Sequence, residues 1–229
     1  MRAFLLPVML VSLVAAAQAT PARSNRSDAA ATPAAATPGK IMPAPTATGA
    51  GSAAPRVVLE TAQGPITIRL RPEAAPKTCA NFLKLVREGF YDGLTFHRVV
   101  PGFVIQGGDP NSRNDNPFDD GQGSPGYTVP AEFSLKHKKG SVAMARMPDV
   151  VNHDRASNGS QFYIALRDLP SLDGGYTVFG EVVAGWETID KIVALADRKD
   201  IARTNENANP QKLALIRHAR VDSSATVRN

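Results

Sequence analysis

Apolar and polar residues alternate cleanly in one early stretch, with Ile66, Ile68 and Leu70 on one side and Thr67 and Arg69 on the other. A period of two marks a strand with one buried face. Val57–Glu60 reads as its partner strand, joined by a turn at Ala62-Gln63-Gly64-Pro65. Helical spacing takes over at Pro76, a residue suited to the first position of a helix. Cys79, Phe82, Leu83 and Val86 recur on one face, and Gly89 ends the helix. Trp186, Ile189, Ile192, Val193 and Ala196 mark a second helix over Trp186–Leu195. Further strands are predicted over Tyr127–Phe133, Lys139–Ala145, Ser160–Leu166, Tyr176–Val183 and Leu213–Val221. The stretches 110–126, 146–159 and 197–210 are polar or rich in Gly and Pro and read as loops. Many short strands with only two helices predict a mainly β fold, a closed antiparallel barrel with helices over its ends.

Residues 94–109 concentrate the candidate chemistry. Strand alternation puts Leu94, Phe96, Arg98 and Val100 on one side, and Thr95, His97 and Val99 on the other. After a bend at Pro101-Gly102, Val104 and Gln106 share a side, with Phe103 and Ile105 opposite. A guanidinium, an aromatic ring and an amide thus surround one turn, although a bent strand with a surface arginine fits the spacing equally well. A barrel filled by side chains has no room inside for a substrate, so any site belongs on its outer wall. Phe162, Ile164, Met144 and Ile105 are then core, while Gln161, Tyr163, Ala145, Val104 and Gln106 face outward. Such neighbours make a shallow apolar site with a few hydrogen-bonding groups. His97 points away from Arg98 and reads as a satisfied structural imidazole. Asn158-Gly159-Ser160-Gln161 lacks the second glycine of a nucleophile elbow. His153-Asp154 is too few ligands for a metal site, and Gly107-Gly108 serves a tight turn.

The chain has 229 residues, 43% of them hydrophobic, enough for a full core. Its net charge is +5, but the basic residues are scattered, Lys136, Lys138 and Lys139 being the densest group. That pattern reads as a solvated surface, with no nucleic-acid partner. One cysteine, Cys79, excludes an intrachain disulfide and a thiolate zinc cluster, and its place on a helix's apolar face makes it a small buried hydrophobe. Residues 1–19 have the form of an export signal: Arg2, an apolar run from Phe4 to Ala17, and Ala17-Gln18-Ala19 before the expected cleavage. The run is shorter than the about 20 residues a membrane span needs, so no stable insertion is expected after cleavage. Residues 20–55 carry six prolines, with Ile41 and Met42 the only large apolar side chains, and read as a disordered linker. Residues 223–229 are expected to be a flexible tail.

Three stretches resemble the cyclophilin family of peptidyl-prolyl isomerases: FHRVVPGFVIQGGD (Phe96–Asp109), NGSQFYIAL (Asn158–Leu166) and LDGGYTVFGEVV (Leu172–Val183). They stand in the family's order, and the resemblance covers roughly residues 56–222. It implies a closed eight-stranded antiparallel β-barrel capped by two α-helices. It also implies rotation about Xaa-Pro bonds of unfolded or partly folded polypeptides, with no cofactor and no metal. Arg98 matches the family's catalytic arginine. Phe103, Tyr163 and Leu172 match the walls around the proline ring, Val104 and Ala145 the floor and side, Gln106 the group that holds substrate backbone, with Gln161 and Tyr176 beside them. Tyr163 departs from the usual Phe and adds a hydroxyl that needs a partner or solvent. Tyr176 replaces a rim histidine. Ser171 replaces the tryptophan that grips cyclosporin in vertebrate-type members, so weak cyclosporin binding is expected. The 146–159 loop is several residues longer than in the family's shorter members. The expectation is a monomeric isomerase exported to the periplasm, assisting the folding of other exported proteins. A proline-peptide-binding module with incidental isomerase activity is the alternative.

Overall fold

The alternation read at Ile66–Leu70 becomes strand β2 (Gly64–Leu70), paired antiparallel with β1 (Arg56–Thr61) so that Val57 lies opposite Ile68 and Leu59 opposite Ile66. The computed structural model describes residues 54–114, 116–196 and 214–222. The signal segment 1–19, all but the last two residues of the 20–55 linker, the polar stretch 197–210 and the tail 223–229 lie outside them. The remaining strands are β3 (Arg98–Val100), β4 (Val104–Gly107), β5 (Ser141–Met144), β6 (Phe162–Ala165), β7 (Val178–Ala184) and β8 (Ile216–Asp222). All eight belong to one sheet in the order β3-β4-β6-β5-β7-β2-β1-β8, and every neighbouring pair is antiparallel.

The sheet curls around a core of Leu59, Ile66, Ile68, Leu70, Ile105, Val142 and Ile164, with Phe82, Tyr91, Phe96, Phe162 and Phe179 filling its middle. Helix α1 (Pro76–Arg87) contributes Thr78, Cys79, Phe82, Leu85 and Val86 to that interior. Its N-terminus has no local side-chain cap. The Glu132 carboxylate instead accepts bonds from the backbone N–H groups of Lys77 and Thr78 at 3.1 and 2.9 Å, and a negative group is favoured there by the helix dipole. Cys79 is buried as expected; its thiol faces the Phe179 carbonyl at 3.3 Å, and burial pushes its pKa up to about 11. Helix α2 (Trp186–Leu195) packs on β2 and β3 through Ile189, Ile192 and Leu195.

Three expectations need correction. The barrel is not closed, because β3 and β8 form no ladder and the sheet is an open, curled one. The interval between its ends is crossed at Gly93–Phe96 by an isolated bridge, Thr95 to Leu215, with hydrogen bonds to residues 214–216. The alternation over 94–100 also breaks. Leu94, Phe96 and Val99 all join the core, so parity flips between Phe96 and Val99, and only Arg98–Val100 is regular strand. Tyr127–Phe133 forms no strand; only Val129 bridges, to Ser157. Pro130 offers no N–H to continue a ladder, and Tyr127 and Phe133 are exposed.

Candidate active site

The register of the sheet lines up one transverse row on its outer face. Arg98 of β3 is opposite Gln106 of β4, Gln106 opposite Tyr163 of β6, Tyr163 opposite Ala143 of β5, and Ala143 opposite Val178 of β7. Phe103 enters from the turn before β4, where its carbonyl accepts from Leu166 N–H at 2.8 Å and its N–H donates to Val100 at 3.0 Å. The Arg98 guanidinium carbon lies 5.9 Å from the Phe103 ring centre, within cation–π range. Among the described residues that guanidinium makes no hydrogen bond, so its donors remain available.

Arg98, Phe103, Val104, Gln106, Ala145, Arg146, Tyr163, Leu172 and Tyr176 together line a cavity of about 230 Å³. That is below the roughly 300–1,000 Å³ of drug-sized pockets and suits one small ring. Eight of these residues are ones the sequence reading placed at the site. The ninth, Arg146, it assigned to a polar loop. Gln161 is the exception in the other direction: it does not line the cavity and is 2% exposed. It accepts from Gln106 Nε2 at 2.9 Å and donates to the carbonyls of Gly121 and Gly123 at 3.0 and 2.8 Å. Its part is therefore to fix the Gln106 amide, leaving the Gln106 oxygen and one N–H free to meet a ligand. Asp109, fully buried, accepts from the N–H groups of Asn111 and Gly121 and holds the same loop. Between them, Gly108 has φ +86°, and any Cβ there would collide with the Ser160 carbonyl oxygen.

The outward side chains are not bare. Val104, Ala143, Tyr163, Ala165, Leu169 and Val178 form a second apolar cluster, with Phe103, Leu135, Leu172 and Tyr176 packed over it. Within it the Tyr163 hydroxyl finds its partner: it lies 2.9 Å from His137 Nε2. His137 Nδ1 is 3.0 Å from Asp173 Oδ1, which also accepts the His137 backbone N–H at 2.8 Å. A neutral imidazole satisfies both ends, donating from Nδ1 to the carboxylate and accepting the phenol proton at Nε2. Asp173 follows Leu172 directly, so this chain of bonds ties two walls of the cavity together. Burial, with the nearby Tyr176 second, pushes the Tyr163 phenol above its ordinary range. The backbone and side-chain bonds from His137 hold the Asp173 carboxyl below the usual carboxylate value. Tyr176 meets Tyr163 edge-on at 5.9 Å and lies under the Arg146 guanidinium at 4.6 Å.

His97 is buried, as expected, but not satisfied: neither ring nitrogen has a hydrogen-bond partner among the described residues. Burial pushes its pKa down to about 4, with Asp109 opposing and Arg98 assisting the shift. Its ring is therefore uncharged at neutral pH. Asn158 shapes a turn, its Oδ1 accepting from Ser160 and Gln161 N–H at 3.3 and 3.1 Å, and the segment is no nucleophile elbow. His153 and Asp154 are exposed, and no group of three metal-ligating side chains occurs among the described residues.

Comparison with known proteins follows the same outline. Residues 56–221 match the family described as cyclophilin type peptidyl-prolyl cis-trans isomerase/CLD. Peptidyl-prolyl cis-trans isomerase B of Bacillus subtilis (strain 168) is 47% identical over 125 residues, 53% of this chain and 78% of that protein. A peptidyl-prolyl cis-trans isomerase of Helicobacter pylori is 41% identical over 139 residues, 58% of this chain and 77% of its own. The crystal structure of a Cryptosporidium parvum cyclophilin type peptidyl-prolyl cis-trans isomerase is similar with a TM-score of 0.62 at 30% identity, covering 74% of this chain and 98% of that one. A structure of the same protein in the presence of the dipeptide Ala-Pro gives 0.60. With the matched residues spanning nearly all of the described fold, the chain belongs to the cyclophilin-type peptidyl-prolyl cis-trans isomerases.

Proposed function

We propose that this isomerase turns Xaa-Pro bonds by holding the proline ring in the 230 Å³ cavity and aiming Arg98 at the imide nitrogen. The reaction needs no nucleophile, base or cofactor. Its barrier, about 18–20 kcal/mol, comes from amide resonance, and uncatalysed exchange takes tens to hundreds of seconds. Twisting the bond ends the resonance and leaves a lone pair on the proline nitrogen. A fixed cationic donor stabilises that twisted state more than either planar one, which is what lowers the barrier. A guanidinium suits this part because it is a planar, delocalised cation with several donors. Phe103, Tyr163 and Leu172 grip the ring over Val104 and Ala145, while Gln106, held by Gln161, keeps one end of the substrate still as the other turns.

The observation that carries this reading is the alignment of Arg98, Gln106 and Tyr163 in one cross-strand row beside Phe103. Losing one preorganised donor costs about 10²–10³ in rate. A proline-switch peptide assay should therefore show Arg98→Ala slower by that factor, with KM little changed. An Arg98→Ala enzyme as fast as wild type would remove the guanidinium from the mechanism.

The signal-like residues 1–19 support an exported enzyme, in the periplasm of a cell that has one, acting on other exported proteins. Determining the N-terminus of protein recovered from outside the cytoplasm tests this. A mature chain starting at Thr20 is expected, and one retaining Met1 would count against it.

A further inference from the structure

The loop between β5 and β6 exposes three large apolar side chains within five residues: Met147 at 58%, Val150 at 81% and Val151 at 65%. Single exposed apolar residues are ordinary, but a cluster on one loop marks a surface that meets something. The loop is built rather than slack. The Asp149 carboxylate accepts from both Arg146 and Arg155. Asn152 bonds Ala156 in both directions, at 2.8 and 3.1 Å. Arg155 sits at φ +53°, a left-handed conformation that costs any residue other than glycine, and its guanidinium reaches the Gly174 carbonyl at 3.3 Å.

Arg146 joins this loop to the cavity. Its side chain is 7% exposed, lines the cavity wall, stacks on Tyr176, and donates to the Gly175 carbonyl at 2.6 Å. The same guanidinium that shapes the cavity therefore sets where the apolar tip stands. We propose that Met147, Val150 and Val151 extend the substrate groove and take an apolar side chain of a polypeptide client close to its proline. The occupant follows from continuity and size. The cavity holds a single ring, so the client's backbone must leave it across the rim, and the loop's root forms part of that rim. This rests on the isomerase reading and names the class of client: unfolded chains with apolar residues flanking the proline.

The test uses the full chain, as wild type, Val150→Ser/Val151→Ser and Asp149→Asn. Substrates are a tetrapeptide, too short to reach the loop, and two peptides of about twelve residues, which can extend to roughly 40 Å. One long peptide has leucines around its proline and the other serines. Wild type should favour the leucine peptide over the serine peptide in kcat/KM by about tenfold, the scale of one partly buried aliphatic side chain. Both variants should erase that preference, Asp149→Asn by releasing the tip. A preference that survives in the serine variant, or its absence in wild type, overturns the proposal. So does light scattering that finds a wild-type dimer and a monomeric variant, since the patch would then belong to a second copy. Wild type inactive on the tetrapeptide would instead sink the isomerase reading itself.

Discussion

Replacing His137 should both destabilise the fold and loosen the proline cavity. The His137 side chain is fully buried, and Tyr163 beside it is 5% exposed. The Tyr163 hydroxyl has His137 Nε2 as its partner at 2.9 Å, so removing the imidazole strands a buried donor. His137→Phe keeps most of the volume; it strands the hydroxyl, about 1–3 kcal/mol for an unsatisfied buried polar group, and also removes the Nδ1 bond to Asp173. Tyr163→Phe strands Nε2 instead and should cost a similar amount. The double variant removes both partners of the hydroxyl–imidazole bond, which relieves that part of the loss and leaves only the missing bond to Asp173. Urea unfolding of the four proteins should therefore give single losses that do not add, with a coupling of about 1–2 kcal/mol. By thermal melting each single loss is a fall of roughly 2–4 °C per kcal/mol. His137→Phe should also raise KM more than it lowers kcat, because Leu172 and Tyr163 lose their common tether. Strictly additive losses would show that the hydroxyl is not paired as described, and the reasoning from the network would fail.

Two further outcomes are expected. The folded state keeps His97 neutral down to about pH 4, whereas an unfolded imidazole protonates near its ordinary 6.5. A depressed pKa contributes stability that is present above 6.5 and lost as pH falls toward 4, up to roughly 3 kcal/mol. Urea midpoints across that window should fall more steeply for wild type than for His97→Phe, and equal slopes would refute the assignment. Ser171 is exposed on the short turn Pro170–Leu172, and nothing bulky stands there to hold a macrocycle. Cyclosporin should inhibit weakly and Ser171→Trp should strengthen it in a competition assay; a nanomolar constant for wild type would sink this.

Local pattern made much of the site legible. The parity of Val104–Gln106 and of Gln161–Tyr163 follows from the strand period alone, and it separated Ile105, Phe162 and Ile164 from their outward neighbours; Phe103, expected on the side of Ile105, instead lines the outer cavity with Val104, because it belongs to the turn before β4 and not to the strand. What period cannot convey is how far the outer face is itself covered. Val104, Gln161 and Tyr163 point outward and are nonetheless buried, because distant loops fold across them. His137 and Glu132 were invisible for the same reason. One lies 26 residues from the hydroxyl it meets and the other 54 from the helix it caps, and no local pattern links either to its partner. Arg146 was missed because a cation at the start of a polar loop looks like any solvated charge. Closure of the barrel was over-read. The strand run at 94–100 looked continuous, but three core residues at unequal spacing force a break before Arg98.

That break places Arg98, the donor of the proposed mechanism, on a strand of only three residues at the margin of the sheet, paired on one flank by β4. The walls that receive the ring come from the middle of the sheet and the turns braced against it. On the proposed mechanism the ring is thus received by a braced cup while the donor is offered from its rim, held in place there through β4.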